Sequence, residues 1–217
     1  MELRYYGANC LVLITKQARV VVDDNLSELG GKSILKVNDI AVYTSQHSLP
    51  QKPVKLVIDG PGEYEVSEVN IQGISVRGFM DEPDQKNATL YKLLIEDIRV
   101  LITGHIFPEL SDSELGSIGT VDLLCIPVGG NGYTIDGVGA LGLIKKIEPK
   151  LVIPTHYAHK SLHYPIPQQS LEEALKNIAM EPKETIQRLK IKPADLLIDN
   201  TQLVIIEPIS STSDQEK

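Results

Sequence analysis

Three of the five histidines in this 217-residue chain, His156, His159 and His163, stand three and four residues apart. On a helix that spacing puts them on one face, and three imidazoles can hold one zinc ion while leaving a fourth position to water. Pro154 and Pro165 flank the run, so a loop carrying ordinary histidines is the expected state. A second stretch, residues 40–53, reads IAVYTSQHSLPQKP. Ser45 and His47 have the residue types of a nucleophile and its base. Side chains two apart point to opposite sides of an extended segment, however, and no acid is placed to orient the histidine. Asp23 and Asp24 close an apolar run, where a turn or cap is their ordinary role. Gly129-Gly130-Asn131-Gly132 lacks the spacing of a phosphate-binding loop and reads as a loop where backbone approaches a pocket.

The elements that must position these groups are mostly strands at first. Residues 10–15 and 19–23 are β-rich and joined as a hairpin by Lys16-Gln17-Ala18. Residues 25–36, with Gly30-Gly31, read as loop. Strands are expected over 40–43, 54–58, 63–66 and 69–78, with a tight turn at Asp59-Gly60-Pro61-Gly62. Residues 80–86 are polar and form a loop, and 90–95 with 98–102 form a second hairpin around Glu96-Asp97. The second half alternates: a strand over 123–127, a helix over 137–147 capped by Asp136, and a strand over 151–154. Gly137, Gly139 and Gly142 weaken that helix and predict its close packing on a sheet. A helix over 171–180 capped by Ser170 and late strands over 186–191 and 202–206 complete the chain. The expected domain covers residues 1–209, followed by a disordered polar tail over 210–217.

Composition narrows the classes. A hydrophobic content of 42% supports a sizeable core, and a net charge of −8 argues against a nucleic-acid partner. No apolar run approaches a membrane span of roughly 20 residues. The N-terminus has no signal-peptide layout, so a cytoplasmic protein is expected. Cys10 and Cys125 are then two buried free thiols.

The loop Thr44-Ser45-Gln46-His47-Ser48-Leu49-Pro50 resembles the T-H-x-H-x-D-H signature of the metallo-β-lactamase superfamily, whose side chains grip two metal ions after a strand. Further blocks are similar to small bacterial members near the ascorbate-6-phosphate lactonases. They are Gly60–Val66 with Val69–Ile74, Ile126–Gly130 with Tyr133–Asp136, and Pro149–Tyr157. The resemblance implies an α/β (α+β) fold, an αββα four-layer sandwich of two mixed β-sheets with helices outside. It places the active site at the sheet edge where the loops converge.

The resemblance also lets the metal positions be read one by one. Ser45, Leu49 and Pro50 stand where a His, the Asp and the last His are expected, and Met80 where another His is expected, before Asp81. His47 and His156 keep the ligand type, and His105 stands at the bridging Asp. Asp23 or Asp24 would support the loop from behind, with Asp81 a further supporting group. Two metals need about twice the ligands of a single zinc and a bridging group, which this set lacks. The expectation is a non-catalytic member with a binding or structural role and no cofactor. The alternative is a metal-dependent hydrolase with one zinc at His47, His105 and His156. A third reading recruits ligands from another subunit or binds an unrelated small molecule. A homo-oligomer, the partner and the ligand stay open.

Overall fold

The computed structural model describes residues 1–46, 50 and 52–211. Its first sheet is built from β1 (Glu2–Gly7), β2 (Cys10–Ile14), β3 (Arg19–Val22), β4 (Ile40–Val42) and β5 (Leu56–Ile58), with β13 (Leu189–Lys190) beyond β1. The second contains β6 (Gly62–Val66), β7 (Val69–Val76), β8 (Ala88–Ile95), β9 (Ile98–Ile102), β10 (Leu123–Pro127), β11 (Leu151–Thr155), β12 (Pro182–Ile186) and β14 (Gln202–Ile206). The strand order is β13-β1-β2-β3-β4-β5 in one and β12-β14-β11-β10-β9-β8-β7-β6 in the other. Both sheets are mixed. Strands β3, β4 and β5 run parallel, as do β9, β10, β11 and β14, while the hairpins are antiparallel.

The period of two along each strand decides how the layers stack. Leu11, Leu13, Val20, Val22, Ile40 and Val42 of the first sheet join the core shared with the second, where Leu90, Leu93, Val100 and Leu124 are fully buried. Burying each such side chain contributes about 1.5–3 kcal/mol. The alternate residues Cys10, Val12, Val21 and Ala41 face outward into a second cluster with Leu26, Leu29, Ile34, Leu35 and Leu162. A 3-10 turn (Leu26–Leu29) and irregular chain therefore cover that face.

Among the described residues three α-helices complete the architecture: α1 (Asp112–Ile118), α2 (Gly137–Ile147) and α3 (Leu171–Ile178). Ser111 and Ser170 close capping boxes with Glu114 and Glu173, and Asp136 accepts the Gly139 N–H at 2.8 Å. Ala140 and Leu143 of α2 and Ala174 and Ile178 of α3 are buried in the core shared by the sheets. The glycine expectation for α2 needs correction. Gly137 approaches the backbone of α3 at Ala174, Gly139 lies against Pro108 and Ile135, and Gly142 is open. Only at Gly137 is the close approach to another helix, and at none of the three is it to a strand. The strand expected over 186–191 is also corrected: β12 ends at Ile186, a break follows, and Leu189–Lys190 pairs with β1 in the other sheet. Strand β1 and helix α1 had no counterpart in the sequence reading.

Cys10 and Cys125 are both free and buried in different clusters. Burial pushes both thiols well above their ordinary range, so they stay protonated. Among the described residues no helix is long and apolar enough to cross a membrane.

Candidate functional site

The carboxyl ends of the parallel strands in both sheets meet at one edge, the place where open α/β sheets bind ligands. Asp23 follows β3, Thr44 and Ser45 follow β4, Asp59 follows β5, His105 follows β9, Tyr133 lies in the loop after β10, and His156 follows β11. A cleft of about 820 Å³ opens there, lined by Asn25, Glu28, Thr44, Ser45, Gln46 and Asp59 on one side and by residues 78–81 and 87–89, His105 and Tyr133 on the other.

The back of the cleft is tightly built. His156 is 2% exposed and sits in the left-handed region at φ +51°, a conformation held only where its surroundings dictate it. Its N–H donates to the Ala8 carbonyl at 2.7 Å and to Tyr5 Oη at 3.1 Å. Its Nδ1 lies 3.2 Å from Gln168 Oε1. The preceding Thr155 donates its hydroxyl to Asn9 Oδ1 at 2.9 Å. Gly129 makes this packing fit, because a Cβ there would overlap both Gln168 Oε1 and the His156 carbonyl. Tyr164 covers another side of the His156 ring at 5.1 Å between centroids and donates its hydroxyl to the Tyr157 carbonyl.

His105 meets His156 edge to face, with centroids 4.6 Å apart and planes at 82°, and Tyr133 packs against both rings. Burial lowers the His105 imidazole to about 4, against a hydrogen bond to the Tyr133 backbone. Burial, and then the neighbouring His105, lower His156 to about 3, so both rings are neutral at pH 7. Gly104, at φ +60°, brings the His105 turn onto Thr44. A Cβ there would overlap the Thr44 side chain. Asp23, in turn, accepts the Thr44 N–H and hydroxyl, each at 2.7 Å.

The described residues supply two of the three histidines that the resemblance names, His105 and His156, and His47 lies outside them. Among the described residues no three His, Cys, Asp or Glu side chains are grouped to hold an ion. Two neutral imidazoles in ring contact remain, one engaged with Gln168 and both flanked by phenol rings.

The sequence matches the beta-lactamase superfamily domain over residues 2–156. The chain belongs to the metallo-β-lactamase superfamily. Solved structures share its fold across almost all its length. A candidate Zn-dependent hydrolase of this superfamily from Thermotoga maritima is 23% identical with a TM-score of 0.73, covering 95% of this chain and 99% of that one. The metallo hydrolase Igni18 from Ignicoccus hospitalis is 15% identical at a TM-score of 0.60, covering 95% of each chain. A diiron β-hydroxylase from Streptomyces venezuelae is 12% identical at 0.61, over 95% of this chain and 53% of that one. At such identities the likeness concerns the fold. No curated protein matches the chain.

Seen as a metallo-β-lactamase superfamily member, the chain distributes its sequence-predicted residues unevenly. Ser45, Met80, Asp81 and His105 line the cleft, and His156 lies behind His105. Met80 is 70% exposed, so it does not plug an apolar pocket. Pro50 is half-buried and is not among the lining residues. His47 and Leu49 lie outside the described residues. Asp23 holds Thr44, the first residue of the loop that resembles the family's metal signature. Asp24 instead accepts the Ser33 hydroxyl and the Ile34 and Leu35 N–H groups, and so pins the 33–35 turn. Asp81 closes its own loop by accepting from the Gly78 and Asn87 N–H groups and Asn87 Nδ2. His159 faces Ser161 at 2.8 Å and His163 lies over Gly30, so they do not join His156 in one site. Tyr133, Tyr164, Gln168, Glu28 and Asp59 were not singled out from the sequence. Their roles depend on loops that only the fold brings together.

Proposed function

We propose that this chain is a non-catalytic metallo-β-lactamase-fold protein that binds a small polar molecule in the cleft at the strand ends. The observation that carries the reading is the side-chain set at the metal positions. Ser45, Leu49, Pro50 and Met80 supply no imidazole or carboxylate, and the two described histidines there are packed against each other and against tyrosines. Metal-assisted hydrolysis in this fold needs an ion that lowers the pKa of bound water to about 7 and an acid that orients it. Leu49 cannot orient water, and neutral His105 cannot replace a bridging carboxylate.

The adjacency of His105 and His156 favours a second reading, a single-metal or altered hydrolase in which His47 completes a three-histidine set. The solved structures that share the fold, a candidate Zn-dependent hydrolase and a diiron β-hydroxylase among them, support this second reading.

Reversion separates the two. Lactone, phosphodiester and β-lactam hydrolysis is assayed with added zinc for the natural chain, for each single reversion and for the combined Ser45→His, Leu49→Asp, Pro50→His, Met80→His and His105→Asp variant. The proposal expects turnover only in the combined variant. Zinc-dependent turnover by the natural chain, abolished by His47→Ala and by His156→Ala, would establish the hydrolase instead.

A further inference from the structure

The outer face of the second sheet is open at the β6 end. Along β6, β7 and β8 the residues Tyr64, Val66, Val69, Ile71, Leu93 and Ile95 pack on the core. The alternate residues Glu63, Glu65, Asn70, Gln72, Lys92 and Leu94 therefore share the opposite face. They border a shallow depression of about 450 Å³ that has no lining residue in common with the cleft. Strand register sets them in two rows. Glu63 stands beside Gln72 and Gln72 beside Lys92, while Glu65, Asn70 and Leu94 form the second row. The first row closes at β9, where Leu101, the cross-strand neighbour of Lys92, is fully buried. Glu63 and Lys92 are thus an acid and a base at one height, two strands or about 10 Å apart. Among the described residues, the side chains of Glu63, Glu65, Asn70, Gln72 and Lys92 take no hydrogen bond or ion pair within the chain. Leu94, between them, is one of five exposed large apolar side chains among those residues. Arg99, next in the second row, is already paired with Asp122.

We propose that this face is the contact surface of a homodimer, with a second copy of the chain packed on it about a two-fold axis running along β7. The mirrored spacing of the charges points to a second copy. Such an axis lays β6 of one copy over β8 of the other, so Glu63 meets the partner's Lys92 and Lys92 meets the partner's Glu63. On the axis, Asn70 and Gln72 each meet their own counterpart, and a side-chain amide supplies both a donor and an acceptor for that. A foreign partner would require no acid and base at equal distances from one strand. The patch is about 15 Å on a side. That is less than the roughly 800 Å² per partner of a standard interface, so the dimer is weak and depends on concentration. This contact stands apart from the cleft and from whatever fills it.

The test is sedimentation equilibrium of the full chain from about 10 μM to 1 mM, the range of weak complexes, with 15N amide shifts locating the contact. The natural chain is expected to dimerise reversibly, with concentration-dependent shifts confined to residues 63–65, 70–72 and 92–94. Glu63→Lys and Lys92→Glu each set like charges against each other and should weaken association at least about tenfold. Mixed one to one, these two variants should form a heterodimer as tight as the natural dimer, since every pair then joins opposite signs. The double variant Glu63→Lys/Lys92→Glu keeps the net charge of −8 and should dimerise like the natural chain. Neither side chain is buried, and the melting temperature of each variant checks that the fold is kept. A natural chain that stays monomeric throughout would overturn the proposal. So would a dimer that the single reversals leave intact, or two single variants that remain monomeric when mixed.

Discussion

The two walls of the site are built to different standards. Behind His156 the chain is held by its N–H on Ala8 and Tyr5, its ring near Gln168, and Thr155 on Asn9, although Asn9 Nδ2 is left without a partner. On the open side, Ser45 and Gln46 lie at the mouth and Met80 is 70% exposed. The turns at the strand ends are fixed by Gly104, Gly129, Asp23 and Gln168, while among the described residues no three His, Cys, Asp or Glu side chains are grouped to hold an ion.

The comparison breaks most readily at Gly104. Gly104→Ala puts a Cβ into Thr44 at a left-handed φ, and overpacking plus backbone strain should cost about 4 kcal/mol in urea unfolding. A loss under about 1 kcal/mol, the usual scale for open sites, would show that the 103–105 turn is not pinned.

The buried ring pair gives a pH signature of comparable size. In the unfolded chain both imidazoles have a pKa near 6.5, whereas in the folded chain His105 lies near 4 and His156 near 3. Above pH 6.5 both are neutral in both states, and their contribution to stability is fully present. As pH falls towards the folded values, the unfolded chain takes up protons that the native chain refuses, and stability is lost. The expected loss between pH 7 and pH 4 is on the order of 3 kcal/mol for each imidazole, and His105→Gln should flatten part of that slope. A slope unchanged by the substitution would remove His105 from the account.

At Asp23, the front loop is tied to the back. Asp23→Ala leaves the Thr44 N–H and hydroxyl unpaired in a buried place and should cost about 2 kcal/mol. Met80→Ala marks the other extreme: thermal unfolding should move by no more than about 0.5 kcal/mol in equivalent stability. A larger effect would mean that the front wall is as tightly packed as the back.

Much of this fold was legible because its signals are local. Strands β9, β10 and β14 and helix α2 match the sequence reading to the residue, since apolar runs and the Asp136 cap announce them. Strand β1 was not recognised; ELRYYG mixes charged and aromatic residues, and its place is set by pairing with β2 and β13. The break after Ile186 was hidden because apolar residues on both sides serve different sheets. At the site, the strand-end positions of His105 and His156 were readable from block order. Their ring contact, and the acids and tyrosines around them, come from turns far apart in sequence. Asp24 and Asp81 illustrate the limit: acid after strand or glycine looks alike whether it supports a site or closes a turn.

Metal content is the sharpest discriminator between the non-catalytic protein and the single-metal hydrolase. The natural chain, expressed without a His-tag and purified without chelator, is analysed for bound metal per chain, and its melting temperature is taken with and without EDTA. Well under one equivalent of any transition metal is expected, with a melting temperature that EDTA leaves unchanged. A stoichiometric zinc or iron ion whose removal lowers the melting temperature would contradict that expectation, since a tightly held ion stabilises only the folded state.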